Sequence, residues 1–298
     1  MSRRLALRLP GKPEDMAGPD EITFIGTATT LIKVGGFSIL TDPNFLHRGD
    51  RAYLLPGVSS RRLTEPALSI RDLPDLDFIV LSHHRGDHFD RIAARDLDHD
   101  LPVIAEPHAA RKLISQGFRS PVALPDWQSR IITREDAEVR VTALPGKHAP
   151  EPLRFLLPPV MGTLLDFSRG GERVLRMYIT GPTLMYNGII EIADRFPDID
   201  LCLIHLGGAR VGGILLSMDA RQGVEALRAV SPRNVIPIHY DDYTLFKSPL
   251  SEFMQAAADS NLGSNIHCLD RGGKYRLTVG ASEKSEKPNK PSAPRVPR

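Results

Sequence analysis

The chain has 298 residues, of which 41% are hydrophobic and 25% are charged, and its net charge at pH 7 is +2. This composition is typical of a soluble globular protein, and no window comes near the roughly 18 consecutive apolar residues that a membrane-spanning helix needs. Five Lys or Arg and two Glu give residues 281–298 a charge of +3, which leaves about −1 for the rest of the chain. A body without basic excess argues against a protein that holds nucleic acid through its overall electrostatic field.

One domain, residues 19–280, is predicted between two short terminal segments. Residues 1–18 form a polar arm without an apolar stretch long enough for a secretory signal. Residues 281–298 hold four prolines and no aromatic residue, and are predicted to be disordered. The two cysteines, Cys202 and Cys268, are expected to be buried and reduced. We therefore expect a cytoplasmic protein that acts on a small molecule, binds no nucleic acid and does not insert stably into a membrane.

Strand and helix patterns alternate along the domain, which favours an α/β or α+β fold with helices covering a layered sheet. Strands are predicted in residues 21–42 (two, joined at Gly35-Gly36), 76–84, 138–146, 173–181, 199–208, 234–242 and 265–279. Helices are predicted in residues 91–97, 107–118, 218–232 and 250–261. Residues 43–71 show little periodicity and exceed an ordinary connection, so they are either a lid over a site or a packed surface excursion.

A side chain suited to metal binding or catalysis follows the apolar run of several predicted strands. These residues are Asp42, His83, His148, His205 and His239. A single histidine at a strand end is more often structural than functional. Because strand ends in layered α/β proteins lie where loops converge on the ligand site, five such residues indicate a common site.

The densest group of these side chains is the segment SHHRGDHFD, residues 82–90, which contains His83, His84, Asp87 and His88. Imidazole and carboxylate together suit zinc, manganese or iron. An isolated Asp-His pair before a helix would more often be a helix cap. Three histidines in one short segment make a metal site the better interpretation.

The combination of Asp42, the His-x-x-x-Asp-His of residues 83–88, His148 and His239 at successive strand ends resembles the metallo-β-lactamase superfamily. The resemblance is strongest to the branch that contains N-acyl-phosphatidylethanolamine phospholipase D and ascorbate-phosphate lactonase. It extends from about Glu21 to about Pro249. It implies a four-layer αββα sandwich with a site for two metal ions at one edge, between the two sheets.

The resemblance implies two metal positions. Asp87, His88 and His239 form the one that we call the second metal position. These residues match the aspartate and last histidine of the family's His-x-His-x-Asp-His motif and the family's final histidine. Asp42 would orient a ligand histidine. All ligands of this position are present except the aspartate that bridges the two ions in the family, which is replaced here by Pro182.

The resemblance also implies a first metal position, formed by His83, His148 and the residue that is Arg85 here. Arginine has no lone pair and stays charged, so it cannot replace the family's histidine as a ligand. His84 is adjacent, but consecutive side chains of an extended segment point to opposite faces. The guanidinium of Arg85 is instead expected to stand in for the missing ion and to hold a phosphate or carboxylate. The site is therefore expected to bind one ion.

Three residues are assigned to the substrate pocket from their position along the chain: His205, Tyr240 and Asp241. A structural role for His205 and a solvated turn at Asp241 are the alternatives.

Two functions follow from these assignments. The first is a metal-dependent hydrolase that uses metal-activated water on a phosphoester, ester, lactone or amide, with Asp87, Asp42 and Arg85 as the catalytic residues. Its ion would be zinc, with manganese or iron as alternatives. The second is a catalytically inactive homologue that binds a small molecule or a partner, since losses at Arg85 and Pro182 are what drift away from activity would produce.

Overall fold

Two seven-stranded sheets form the centre of the protein in a computed structural model that describes residues 6–10, 18–55, 57–151 and 157–277. In chain order the strands are β1 (Ala6–Arg8), β2 (Glu21–Gly26), β3 (Thr29–Val34), β4 (Phe37–Thr41), β5 (Arg51–Leu55), β6 (Val58–Arg61), β7 (Phe78–Leu81), β8 (Val103–Ala105), β9 (Pro121–Ala123), β10 (Ser129–Arg134), β11 (Ala137–Pro145), β12 (Met161–Arg169), β13 (Glu172–Ile179), β14 (Leu201–His205), β15 (Arg210–Val211), β16 (Ile214–Leu215), β17 (Asn234–Ile238) and β18 (Lys274–Arg276). The helices are α1 (Arg91–Asp96), α2 (Pro107–Ser115), α3 (Asn187–Arg195), α4 (Ala220–Val230) and α5 (Leu250–Asp259).

The first sheet has the strand order β18-β2-β3-β4-β7-β8-β9, and the second has the order β1-β10-β11-β12-β13-β14-β17. Each sheet ends in a run of parallel strands, β4-β7-β8-β9 and β13-β14-β17. These strands are strongly apolar because both of their faces are covered. In β14, Leu201 and Leu203 face the core between the sheets, whereas Cys202 and Ile204 face the helices outside.

Helices cover the outer face of each sheet. Ala93 of α1 and Leu113 of α2 pack in one cluster with Ile79 of the first sheet. Leu227 of α4 packs in another cluster with Ile204 of the second sheet, together with residues of α3 and α5. The predicted four-layer αββα sandwich is therefore confirmed. Among the described residues, none of the helices has the length and hydropathy to span a membrane.

Several sequence assignments differ from the structure. Residues 21–34 form two strands, not one, because the chain turns at Thr27, where φ is +54°. Strand β1 lies within the predicted polar arm and pairs in parallel with β10. Cys268 is exposed, whereas Cys202 is buried, and both are free. The predicted disordered tail, residues 281–298, lies outside the described residues.

Residues 43–71 contain the hairpin β5-β6, which the sequence did not predict. The segment is held against the rest of the protein by Asp90, which precedes α1 and caps its N-terminus. The Asp90 carboxylate accepts hydrogen bonds from the backbone of Phe45 and Leu46 as well as from Ile92 and Ala93 of its own helix. The segment is thus a packed excursion that borders the loop between β7 and α1.

Candidate metal centre

Strand ends from both sheets meet at one edge of the sandwich and bring the predicted polar residues together. The side chains concerned belong to residues that are at most 9% exposed, namely Asp42, His83, His88, His148, His205 and His239. The His88 ring lies in the middle, with its centroid 5.9 Å from that of His83 and 4.9 Å from that of His239. The His83 and His148 centroids are 5.0 Å apart. The strand ends chosen from the sequence therefore surround one site.

Asp87, His88 and His239 form a compact group of ligand-type side chains. One ligand atom from each lies within 4.8 Å of the others, and Asp87 Oδ2 is 3.9 Å from His88 Nε2 and 4.0 Å from His239 Nε2. His239 donates from Nδ1 to the Leu206 carbonyl at 3.2 Å, which leaves its lone pair on Nε2. Among the described residues, neither His239 Nε2 nor Asp87 Oδ1 has a hydrogen-bond partner. This donor set fits a divalent cation such as zinc.

Asp42 fixes the orientation of His88. His88 donates from Nδ1 to Asp42 Oδ2 at 3.1 Å, so its Nε2 faces Asp87. The Asp42 carboxylate also accepts hydrogen bonds from the Ser82 backbone N–H and hydroxyl, both at 2.7 Å. Burial alone would raise the pKa of Asp42, but His88 and His205 hold it well below its ordinary value. Burial alone would lower the pKa of His88, but the carboxylates of Asp42 and Asp87 raise it. Asp42 thus acts as a positioning residue.

At the first metal position, Arg85 donates a hydrogen bond to His148. His148 donates from Nδ1 to the Pro182 carbonyl at 2.8 Å, and its Nε2 accepts from Arg85 Nη1 at 3.1 Å. Burial and the Arg85 charge lower the pKa of His148 to about 3, so the ring is neutral. A cation here would compete with Arg85 for the Nε2 lone pair and would face its positive charge. The residues present at this position do not fit a metal ion.

His83 and His84 point in different directions. His83 donates from Nδ1 to the Pro159 carbonyl at 3.1 Å, and within the described part of the chain its Nε2 has no partner. His84 Nε2 lies 2.9 Å from the Gln116 side-chain oxygen, and its ring packs near Phe89. His84 therefore does not replace the ligand that the first metal position lost.

The three residues assigned to the substrate pocket each contact other residues of the protein. His205 is fully buried. Its Nε2 lies 3.6 Å from Asp42 Oδ2 and its Nδ1 lies 3.3 Å from the Thr180 hydroxyl, so it contacts Asp42. Tyr240 stacks on Phe24, with ring centroids 6.3 Å apart. Asp241 pairs with Arg271 at 2.5 Å. These contacts give the three residues structural partners and do not favour the predicted substrate contact, which stays a prediction.

Comparison with known proteins agrees with this geometry. A family model described as "Beta-lactamase superfamily domain" matches residues 38–240. This chain belongs to the metallo-β-lactamase superfamily. The chain is 27% identical over 256 residues to N-acyl-phosphatidylethanolamine-hydrolyzing phospholipase D 1 of Caenorhabditis elegans, a match that covers 80% of this chain and 70% of the relative. It is 26% identical over 238 residues to a UPF0173 metal-dependent hydrolase of Carboxydothermus hydrogenoformans, covering 78% of this chain and 90% of the relative.

A solved structure shares the metallo-β-lactamase fold with this chain. The crystal structure of isothiocyanate hydrolase from Delia radicum gut bacteria superposes with a TM-score of 0.73 at 17% sequence identity, and the match covers 86% of this chain and 99% of that chain. At that identity the likeness shows the fold alone. The resemblance that the sequence indicated is thereby confirmed at the level of family and fold.

Residues that sequence reasoning did not select also support this metallo-β-lactamase site. The His239 backbone N–H donates to the Thr27 carbonyl at 2.7 Å, and the Thr27 N–H donates to Asp242 Oδ2 at 2.8 Å. Ser82 binds Asp42, as described above. Ser82 could have been noticed because it stands between a strand and His83. The carbonyls of Thr27 and Leu206 carry no side-chain signal, since any residue supplies them.

The hairpin β5-β6 lies directly against the loop that carries Arg85 and Asp87. The Gly86 N–H donates to the Tyr53 carbonyl at 3.1 Å. A Cβ at residue 86 would lie 2.7 Å from the Tyr53 backbone nitrogen and 2.9 Å from its oxygen. Glycine is required at this position because any side chain would push the hairpin and the loop apart.

We expect Gly86→Ala to lower the free energy of unfolding by about 1–3 kcal/mol, since it overpacks a rigid backbone contact. It should also weaken metal binding, because the displaced loop carries Asp87 and His88. Urea denaturation and metal titration measure the two effects. Gly18→Ala is the matched control, since a Cβ there meets no atom within 4 Å. Equal stability of both variants would show that the loop moves without cost.

Proposed function

We propose that this protein is a hydrolase that depends on one divalent ion, most simply zinc, held by Asp87, His88 and His239. The observation that carries the proposal is that ligand atoms of these three residues lie within 4.8 Å of one another. Two imidazoles and one carboxylate leave a coordination position open, as catalytic zinc sites do. The competing group Asp42, His88 and His205 is equally close, but both Asp42 oxygens already accept hydrogen bonds.

The chemistry divides between the ion and the residues around it. A divalent ion in this position supplies Lewis acidity, which lowers the pKa of water and polarises a carbonyl or phosphoryl oxygen. Asp42 keeps the His88 Nε2 lone pair directed into the site, and the Leu206 carbonyl does the same for His239. Asp87 Oδ1 is buried without a partner among the described residues, so it is placed to accept a hydrogen bond from the attacking water.

The named relatives support hydrolysis as the reaction. One sequence relative is named as an enzyme that hydrolyses N-acyl-phosphatidylethanolamine, and another as a metal-dependent hydrolase. The bond cleaved here belongs to the phosphoesters, esters, lactones or amides. We propose a small molecule as the substrate, because the chain outside residues 281–298 carries a net charge of only about −1 and so has no excess charge to hold nucleic acid. We propose the cytoplasm as the compartment, because Cys202 and Cys268 are both free thiols.

Metal content per chain tests the proposal. Elemental analysis of protein purified without chelator is expected to find about one equivalent of zinc, manganese or iron, and a chelator should remove both the metal and any hydrolysis of model phosphodiesters, lactones, esters and amides. About two equivalents would contradict the single-ion site. No metal after reconstitution would overturn the hydrolase and favour the second function, an inactive homologue that binds a small molecule or a partner.

A further inference from the structure

The guanidinium of Arg85 is buried beside the ligand group with part of its hydrogen-bonding capacity unused. Arg85 is only 6% exposed, and its Nη1 donates to His148. Its Nε and Nη2 are buried and have no partner among the described residues. The carboxylate that acts on it electrostatically is Asp87, but this residue makes no hydrogen bond to Nε or Nη2. A buried charge with unpaired donors costs free energy, so these two donors are placed to bind a partner that is not among the described residues.

The surroundings of Arg85 select the chemistry of that partner. Nε and Nη2 lie on the same edge of the planar guanidinium, and this edge binds two oxygens of a carboxylate or phosphate at once. The neighbouring His148 offers only a lone pair already used by Nη1, so it does not compete for an anion's oxygens. An oxyanion therefore complements this edge better than a neutral amide does, and a metal ion would be repelled by the guanidinium charge.

A cavity of about 260 Å³ is lined by His84, Arg85 and Gly86, so it borders the loop that carries the guanidinium. Its walls include Arg51 and Tyr53 of the hairpin β5-β6, together with Gln116 after α2. The carboxylate in its lining is that of Asp90, whose oxygens already accept several backbone hydrogen bonds. The charge that remains free to act in this cavity is positive, which favours an anion.

We propose that Arg85 is the substrate's anion-binding residue, so that the substrate carries a carboxylate or phosphate group in addition to the bond that is cleaved. The guanidinium supplies one positive charge at the first metal position, and it binds a substrate oxyanion there through Nε and Nη2. The identification of the anion as part of the substrate rests on the proposed hydrolase function. The binding of an oxyanion by Arg85 does not depend on it.

Anion titration of the full chain tests the inference. Isothermal titration calorimetry with inorganic phosphate and, separately, with acetate is carried out on the protein as purified and after metal removal. The wild type should bind at least one of the two probes, and Arg85→Gln should weaken that binding at least about tenfold in both preparations, since a charge-assisted bidentate contact is lost. Arg85→Lys should fall between them, because it keeps the charge and loses the two-donor edge. The probe that binds more tightly shows whether the site prefers a phosphate or a carboxylate.

Arg51→Gln is the matched control, since Arg51 is an exposed arginine of the same cavity and donates to Ser59. It should change the affinity much less than Arg85→Gln. Circular dichroism and thermal denaturation check that the variants are folded. If Arg85→Gln is unfolded, the anion affinity of Arg85→Lys serves as the test. Equal anion affinity in the wild type and a folded Arg85 variant would overturn the inference, and so would a wild type that binds neither probe.

The metal content of the same preparations separates the two proposals. Anion binding that depends on Arg85 in a protein that takes up no metal would refute the hydrolase and leave the anion site standing. One bound ion without any Arg85-dependent anion binding would refute the anion site and leave the proposed hydrolase standing.

Discussion

Asp87→Ala is expected to lower the metal affinity by more than about 100-fold, because the loss of residues that merely orient ligands already costs 10–100-fold. Asp87 is the carboxylate whose Oδ2 faces the Nε2 atoms of both His88 and His239, at 3.9 and 4.0 Å. Without it, two neutral imidazoles remain and the site loses its negative charge. Competition with a calibrated chelator measures the affinity, and elemental analysis measures the occupancy. Asp87→Asn keeps the shape and removes the charge, so it should be nearly as damaging.

Two further variants make this experiment specific. Asp241→Ala removes a nearby carboxylate that is paired with Arg271 and should leave the metal affinity unchanged. Asp42→Ala should weaken binding by about 10–100-fold, since it removes the hydrogen bond that orients His88. If Asp87→Ala kept its ion while Asp42→Ala lost it, the ion would belong to the group Asp42, His88 and His205 instead, and our assignment would be wrong.

The strands that carry the site were predictable because each one is an apolar run that is followed at once by a polar residue. Residues 78–81 and 201–204 are apolar throughout, as strands covered on both faces must be, and the first polar residue after each run, Ser82 or His205, marks the strand end. Strand β12 and helix α3 were not predicted. Helix α3 contains Gly188 and three isoleucines, which are weak helix formers, and it is stabilised by the packing of Ile189 and Ile192 on the second sheet.

The residues that meet at the site were predictable from the motif, but the way in which they are held was not. Three histidine rings donate from Nδ1 to backbone carbonyls, which leaves the lone pair on Nε2. The pairs are His83 with Pro159, His148 with Pro182 and His239 with Leu206. These carbonyls lie 76, 34 and 33 residues away along the chain from the histidines that they bind. A backbone group carries no residue-specific signal, so only the folded chain shows it. The sequence also showed that Arg85 could not be a ligand, but not that it would hold His148, because the two residues are 63 positions apart along the chain.

The variant Arg85→His/Pro182→Asp is expected to take up about two ions per chain where the wild type takes one. Arg85→His removes the charge that opposes a cation and frees the Nε2 lone pair of His148, while His83 Nε2 is already unpartnered among the described residues. Pro182→Asp restores the carboxylate that bridges the two ions in the family. It also preserves the backbone carbonyl to which His148 donates at 2.8 Å, so the ring should keep its orientation.

Metal content and the hydrolysis of a generic phosphodiester or lactone are both expected to rise in this double variant, since a second ion adds a second Lewis acid beside the substrate. Arg85→Met/Pro182→Asp is the matched control. It removes the same charge but adds no imidazole, so its metal content should stay below that of the histidine variant. A folded double variant that still binds one ion would contradict our placement of the first metal position. More metal with less activity toward an anionic substrate would instead support a role for Arg85 in holding that substrate, because the double variant loses the guanidinium when it gains the second ion.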